Sequence, residues 1–196
     1  MQRADTTAET LTRVARNAGA LKSRKAVLAI VMHPRTPRHM SIPLLRRIFT
    51  FDLMQVTLTP AVAADIKRAA EEQLLLRADT LSAGEKISLA KRSSGRVAAA
   101  LLQDPDSRVL VPALDNPQLT EPLVVQALTK RTAPDLLFVQ AGDHPKWSHR
   151  REVQIALLRS EKTPLELAQE LSRHFSEETL RSIVPPERIP LLLSPQ

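Results

Sequence analysis

The chain offers few residues whose type and spacing suit chemistry. Five histidines are present: His33, His39, His144, His149 and His174. None forms a His-Glu-x-x-His pair, and the five-residue step from His144 to His149 does not put two imidazoles on one helix face for a metal. His33 and His144 each precede a proline, which predicts that they hydrogen-bond a helix end. Cysteine is absent, so disulfides, thiolate metal sites, iron–sulfur ligation and a Cys nucleophile are all excluded. No metal site and no cofactor are expected.

Other fragments of motif also fall short. Gly84-Glu85-Lys86 lacks the glycine-rich run of a phosphate loop, and Gly84 is expected in a helix's first turn. Ser93-Ser94-Gly95 lacks the flanking glycines of a nucleophile elbow and is expected to end one helix and open the next. The pairs Glu71-Glu72 and Glu177-Glu178 are adjacent, so their carboxylates diverge and cannot work as an acid–base couple.

The richest local cluster is Lys146, Trp147, His149, Arg150 and Arg151. A lone Trp among cations can stack on a base or clamp a peptide. It can equally pack as a hydrophobic staple at a helix entry, with Ser148 as N-cap and the indole over Val153 and Val139. Both roles stay open at this point.

Charge supplies a second candidate surface. The 196 residues carry a net charge of +7. Residues 1–50 hold ten basic and two acidic residues, so the entire excess sits in the first quarter of the chain. Arg35, Arg38, Arg46 and Arg47 are the candidate contacts there. Nucleic acid, an anionic membrane surface or an acidic protein would match this charge, and a simply solvated basic face would also account for it.

These residues must be positioned by helices. Only 4 glycines but 15 prolines occur, a balance that suits short stiff helix connections better than hairpins. No Asn-Gly or Asp-Gly turn and no sustained alternation of polar and β-branched residues appears. Thr36-Pro37, Thr59-Pro60, Thr163-Pro164 and Asp104-Pro105 each read as a capping side chain before a proline at the first helical position. Ser82 with Glu85, and Thr163 with Glu166, have capping-box spacing. Apolar stripes at helical spacing follow, as in Ile66-Ala69-Ala70-Leu74, Leu123-Val124-Ala127-Leu128 and Leu165-Ala168-Leu171-Phe175.

The expectation is an all-α chain of about 13–14 short helices, starting near residues 6, 21, 37, 51, 60, 82, 95, 105, 120, 133, 148, 164, 176 and 186. Pro43 and Pro112 fall inside two of them and predict kinks or shifted boundaries. Expected core positions are Leu28, Ile30, Leu53, Ile66, Leu89, Leu101, Leu114, Leu128, Leu137, Ile155, Leu158, Leu171 and Ile183. The longest apolar run, Ala26–Met32, is far short of the ~20 residues of a spanning helix. A cytoplasmic location without a membrane span is the default.

An internal repeat emerges at the helix junctions. His33-Pro34-Arg35-Thr36-Pro37, Asn116-Pro117-Gln118-Leu119-Thr120 and His144-Pro145-Lys146-Trp147-Ser148 share one pattern, with Pro117 and Pro145 spaced 28 apart and Pro34 and Pro60 spaced 26 apart. Residues 28–37 (LAIVMHPRTP) also match 155–164 (IALLRSEKTP) at an offset of 127, which no single repeat length divides. The motif therefore marks helix junctions without one strict register.

The segments HPRTP, RVLVPALDNPQLTE and KWSHRREVQIALLRSEKTPLELA resemble bacterial HEAT-like and leucine-rich-variant helical repeats over roughly residues 26–190. The resemblance implies an α-solenoid. It divides the chain into a basic N-terminal helix or arm (1–25), a helical-repeat domain (26–190) and a C-terminal tail (191–196). Such proteins serve as interaction scaffolds, so a non-catalytic scaffold that binds a protein partner is the first functional expectation. Nucleic-acid binding through the basic N-terminal quarter is the alternative. HEAT-like DNA glycosylases are the enzymatic analogue; they use Trp, Asp and Arg on a concave basic surface, and this chain shows no matching spacing. The iron–sulfur variant of the leucine-rich-variant family cannot apply to a chain without cysteine.

Overall fold

The computed structural model describes residues 7–17 and 19–193. Arg3, Asp5, the expected helix start at residue 6 and the end of the expected tail (194–196) lie outside the described residues. Every regular element is helical, and the described residues contain no strand. The chain forms two compact units, one ending at Ser82 and the other beginning at Ala83.

The first unit holds α1 (Ala8–Arg16), α2 (Arg24–Met32), α3 (Arg38–Leu45), α4 (Thr50–Leu58) and α5 (Ala64–Arg77), with short 3₁₀ turns at Ala20–Lys22 and Ala78–Thr80. The second holds α6 (Ala83–Arg92), α7 (Gly95–Leu101), α8 (Ser107–Leu114), α9 (Glu121–Leu128), α10 (Asp135–Asp143), α11 (Arg151–Arg159), α12 (Leu165–Ser172), α13 (Glu177–Ile183) and α14 (Ile189–Leu193), with a 3₁₀ turn at Pro186–Arg188. Helix α2 crosses the expected 25/26 division, and α14 crosses the expected 190/191 division. Pro43 and Pro112 each sit in the last turn of a short helix, α3 and α8, close to its end.

Helices α1, α2, α8 and α13 begin as the capping rule requires. Thr7, Ser23, Asp106 and Ser176 each accept a hydrogen bond from a first-turn N–H. The Thr-Pro pairs do something else. Pro37 and Pro164, not the threonines, occupy the N-cap positions of α3 and α12. Each threonine hydroxyl instead serves the preceding helix. Thr36 Oγ1 donates to the Ile30 carbonyl at 2.6 Å, and Thr163 Oγ1 donates to the Leu157 carbonyl at 2.6 Å. Thr59 is the C-cap of α4, and its hydroxyl donates to the Gln55 carbonyl at 2.8 Å. Asp104 caps no helix; it accepts from the backbone N–H of Asp106, the true N-cap of α8. The Ile30, Leu157 and Gln55 carbonyls each also accept a backbone N–H, from His33, Ser160 and Thr59, so the hydroxyl adds a second bond where the helix ends.

The repeated junction has one hydrogen-bonding plan. A polar residue ending a helix accepts, through its side chain, the N–H two residues on. Asn17, His33, Asp104, Asn116, His144 and Ser160 all do this, at 2.7–3.3 Å. At four of these junctions the N–H three residues on returns to the first residue's carbonyl: Thr36 to His33, Leu119 to Asn116, Trp147 to His144 and Thr163 to Ser160. That third residue turns inward, and Leu119, Trp147 and Thr163 are all buried. The matched segments at offset 127 thus share their whole junction geometry.

Side chains stitch one junction to another about one helix pair away. The Asn116 amide donates to the carbonyls of Ala90 (2.7 Å) and Ser93 (3.1 Å), and Lys146 Nζ reaches the Leu119 carbonyl at 3.4 Å. At the opposite helix ends Gln103 Nε2 donates to the Ala127 carbonyl at 3.2 Å, Lys162 Nζ to those of Arg131 and Ala133, and Arg188 to that of Ser160. Burial lowers the Arg188 pKa, and the nearby Glu161 offsets part of that.

The core follows the expected helical phase at most positions. Ile30, Leu53, Ile66, Leu89, Leu101, Leu114, Leu128, Leu137, Leu158 and Leu171 are buried. Leu28, Ile155 and Ile183 are only half-buried. Each lies at the edge of its helix's buried stripe, and for Ile155 this has a consequence for binding.

Candidate functional site

Trp147 is 1% exposed, and its indole Nε1 donates to the Leu114 carbonyl at 2.8 Å. Helix α11 starts three residues after the expected place: Ser148 lies in the preceding turn, and Arg150 is the N-cap. The cations around the indole divide. Lys146 Nζ lies 4.1 Å from the Trp147 ring centre, and the Arg151 guanidinium lies 5.1 Å from the ring of Phe175. Arg150 is exposed. The buried indole of Trp147 offers no open face on which a base could stack.

The four N-terminal candidates fall into two groups. Arg35 and Arg38 flank the start of α3, and Arg46 and Arg47 follow its end. An eight-residue helix separates them by roughly 12 Å, so they do not form one patch. Arg38 pairs with Asp65 at 2.8 Å, and Arg47 Nη2 approaches the Leu21 carbonyl at 3.5 Å. Arg24 makes a two-pronged pair with the buried Asp52 at 2.6 and 2.9 Å, and the hydrogen bond to that carboxylate raises the Arg24 pKa.

The second unit carries a groove of about 410 Å³ between α9 and α11. Its floor is apolar: Leu128, Phe138 and Ala156 are buried beneath half-buried Val125 and Ile155. Charge is uneven along it. Lys130, Arg131, Arg159 and Lys162 stand at one end, with the single acid Glu161 among them. Glu152 stands at the other, where a second depression adds Glu121. Glu121 Oε1 accepts the backbone N–H of Glu152 at 3.3 Å, which fixes the acidic end. Lys162 is committed to the carbonyls of Arg131 and Ala133, and Arg159 Nε to that of Ile183 at 2.7 Å. Lys130 and Arg131 make no ion pair among the described residues.

Sequence reasoning passed over this groove because its walls come from two helices some thirty residues apart. The available signal was the extra apolar residue, Val125 beside the Val124 stripe and Ile155 beside Ala156, which widens a stripe beyond what one neighbour can cover.

Among the described residues no helix is long and apolar enough to cross a membrane, and no three His, Asp or Glu side chains gather as metal ligands. No protein-family profile, curated protein or solved structure matches the chain.

Proposed function

We propose that this protein is a non-catalytic helical-repeat scaffold of the α-solenoid kind. Its second unit would take a segment of a protein partner in the groove between α9 and α11. The observation that carries the reading is the groove's apolar floor, with four cations around Glu161 at one end and the acids Glu121 and Glu152 at the other. Repeated junctions, stitched to their neighbours, support a repeat array, and such arrays expose long grooves as their working surface. Recognition would rest on surface complementarity, with an apolar anchor side chain on Val125 and Ile155. An acidic residue of the partner would face Lys130 and Arg131, and a basic one would face Glu121 and Glu152.

A displayed peptide library selected on the full chain tests this. The expected outcome is enrichment of an apolar anchor flanked by acidic residues on one side and basic ones on the other. Ile155→Lys should then weaken the selected peptide more than tenfold, as loss of a central anchor does. Failure to enrich, or indifference to Ile155→Lys with the fold intact, would overturn the reading.

A further inference from the structure

At one end of the first unit four helix termini converge. Arg77, the last residue of α5, donates to the Ile48 carbonyl at 2.7 Å and to the Arg46 carbonyl at 3.0 Å. Arg24 at the start of α2 grips Asp52 in the first turn of α4. Arg47 reaches back toward Leu21. These bonds hold residues 46–49 firmly and leave an outer surface of unusual character.

That surface is apolar and cationic together. Phe49 is 60% exposed, Phe51 42% and Leu76, beside Arg77, 75%. The chain has four Phe, and two of them stand here in water. Between Glu9 and Asp52 there is no acidic residue, while nine Lys and Arg occur. Asp52 is buried against Arg24, and the exposed acids nearest Leu76 along the chain are Asp79 and Glu72, the latter paired with Arg68 at 3.8 Å. Lys22 and Arg46 make no ion pair among the described residues.

We propose that this end of the first unit docks on an anionic lipid bilayer. Phe49, Phe51 and Leu76 enter the headgroup–acyl boundary, and Lys22, Arg46 and Arg47 lie against the headgroups. Exposed apolar side chains ringed by cations are what such a surface selects, since the apolar part partitions and the charge is drawn to anionic lipid. A single-stranded nucleic acid fits less well. The Arg24 guanidinium, 4.7 Å from the Phe49 ring centre, already covers a ring face that a base would need. An aliphatic Leu76 offers a base nothing. The site is separate from the α9–α11 groove, and neither proposal depends on the other.

Flotation of the full chain with vesicles decides it. Binding is expected to phosphatidylcholine vesicles containing phosphatidylglycerol and not to phosphatidylcholine alone. Arg46→Glu with Arg47→Glu should weaken it at least tenfold, since each cation near an anionic surface contributes about fivefold. Phe49→Ser with Phe51→Ser should also weaken it about tenfold, by removing the inserted area. Serine is a better N-cap than phenylalanine at position 49, so helicity measured by circular dichroism should be kept. Equal binding to neutral vesicles, or none to anionic ones at low salt, would overturn the proposal. So would indifference to the Phe substitutions, or a single-stranded oligonucleotide that binds more tightly with the same Phe dependence.

Discussion

The indole N–H of Trp147 ends on the carbonyl of Leu114, 33 residues earlier, at 2.8 Å. Leu114 is the last residue of α8, so this bond satisfies one of the carbonyls that a helix end leaves open. The ring is meanwhile enclosed by the core. One side chain thereby locks the junction after α10 onto the junction after α8.

Trp147→Ala should lower stability by about 3 kcal/mol or more, as large core truncations do. Trp147→Phe should cost less, about 1–3 kcal/mol, chiefly because the buried Leu114 carbonyl loses its donor. Trp147 is the only Trp and Tyr is absent, so emission reports this site alone. Blue-shifted, quencher-resistant emission is expected in the free protein. Red-shifted emission would sink the structural role.

The two matched junctions make a paired test. Thr163 is 3% exposed and Thr36 is half-buried, yet both hydroxyls donate over six residues to a helix carbonyl. Thr163→Val should cost about 1 kcal/mol, because a buried hydrogen bond is lost while the Leu157 carbonyl keeps only the Ser160 N–H. Thr36→Val should cost less, because water can replace the lost donor. Serine at either position should restore most of the loss. Equal costs at both sites would show that burial does not set the difference.

Helix positions were legible from Pro, Thr and apolar spacing, and most starts lie within a few residues of those expected. The direction of the Thr36 and Thr163 bonds was not, because a hydroxyl can accept from the helix ahead or donate to the helix behind. Only the packing of α2 against α3 and of α11 against α12 decides between them. The place of Trp147 was half-legible: an apolar role fits the junction pattern, but its true acceptor, Leu114, is distant in sequence. The basic excess of residues 1–50 was plain, yet the sequence does not say that α3 splits its arginines between two ends. Nor does it say that Phe49 and Phe51 face water, since an aromatic at a helix start is as readily buried. In 121–131 and 152–162 only the extra apolar residues Val125 and Ile155 hint at the groove that these segments share.

Acid stability should depend on Asp106. Its carboxylate accepts from the Arg108 side chain and from the Arg108 backbone N–H, which together lower its pKa. A native pKa below the unfolded value means that the contribution is complete above the unfolded carboxylate value. It is lost as pH falls through the native one. Asp106→Asn keeps an acceptor for the cap but does not titrate. Urea unfolding between about pH 5 and pH 3 should therefore show a shallower decline for the variant than for the parent chain. Parallel curves would remove Asp106 from the acid response.

Three glycines separate close packing from helix propensity. Alanine at an exposed helix position is favoured over glycine by about 1 kcal/mol. Gly84, in the first turn of α6, has nothing within 4 Å of where a Cβ would stand, so Gly84→Ala should be neutral or stabilising. At Gly142 a Cβ would meet Leu167 side-chain carbons at 2.3 and 3.0 Å, and those carbons can rotate away at some packing cost. At Gly95 it would meet the backbone oxygen of Gln118 at 2.1 Å and that residue's carbonyl carbon at 2.9 Å. That backbone cannot yield. The Gln118 N–H is bonded to Asn116, whose amide is anchored on the Ala90 and Ser93 carbonyls. Gly95→Ala must push α7 away from this junction and should be the most damaging of the three, by about 2 kcal/mol or more relative to Gly84→Ala. Thermal or urea unfolding of the three variants should give the order Gly84, Gly142, Gly95 from least to most destabilised. A Gly95→Ala variant as stable as the parent chain would mean that α7 and the 116–118 turn are not held together as described.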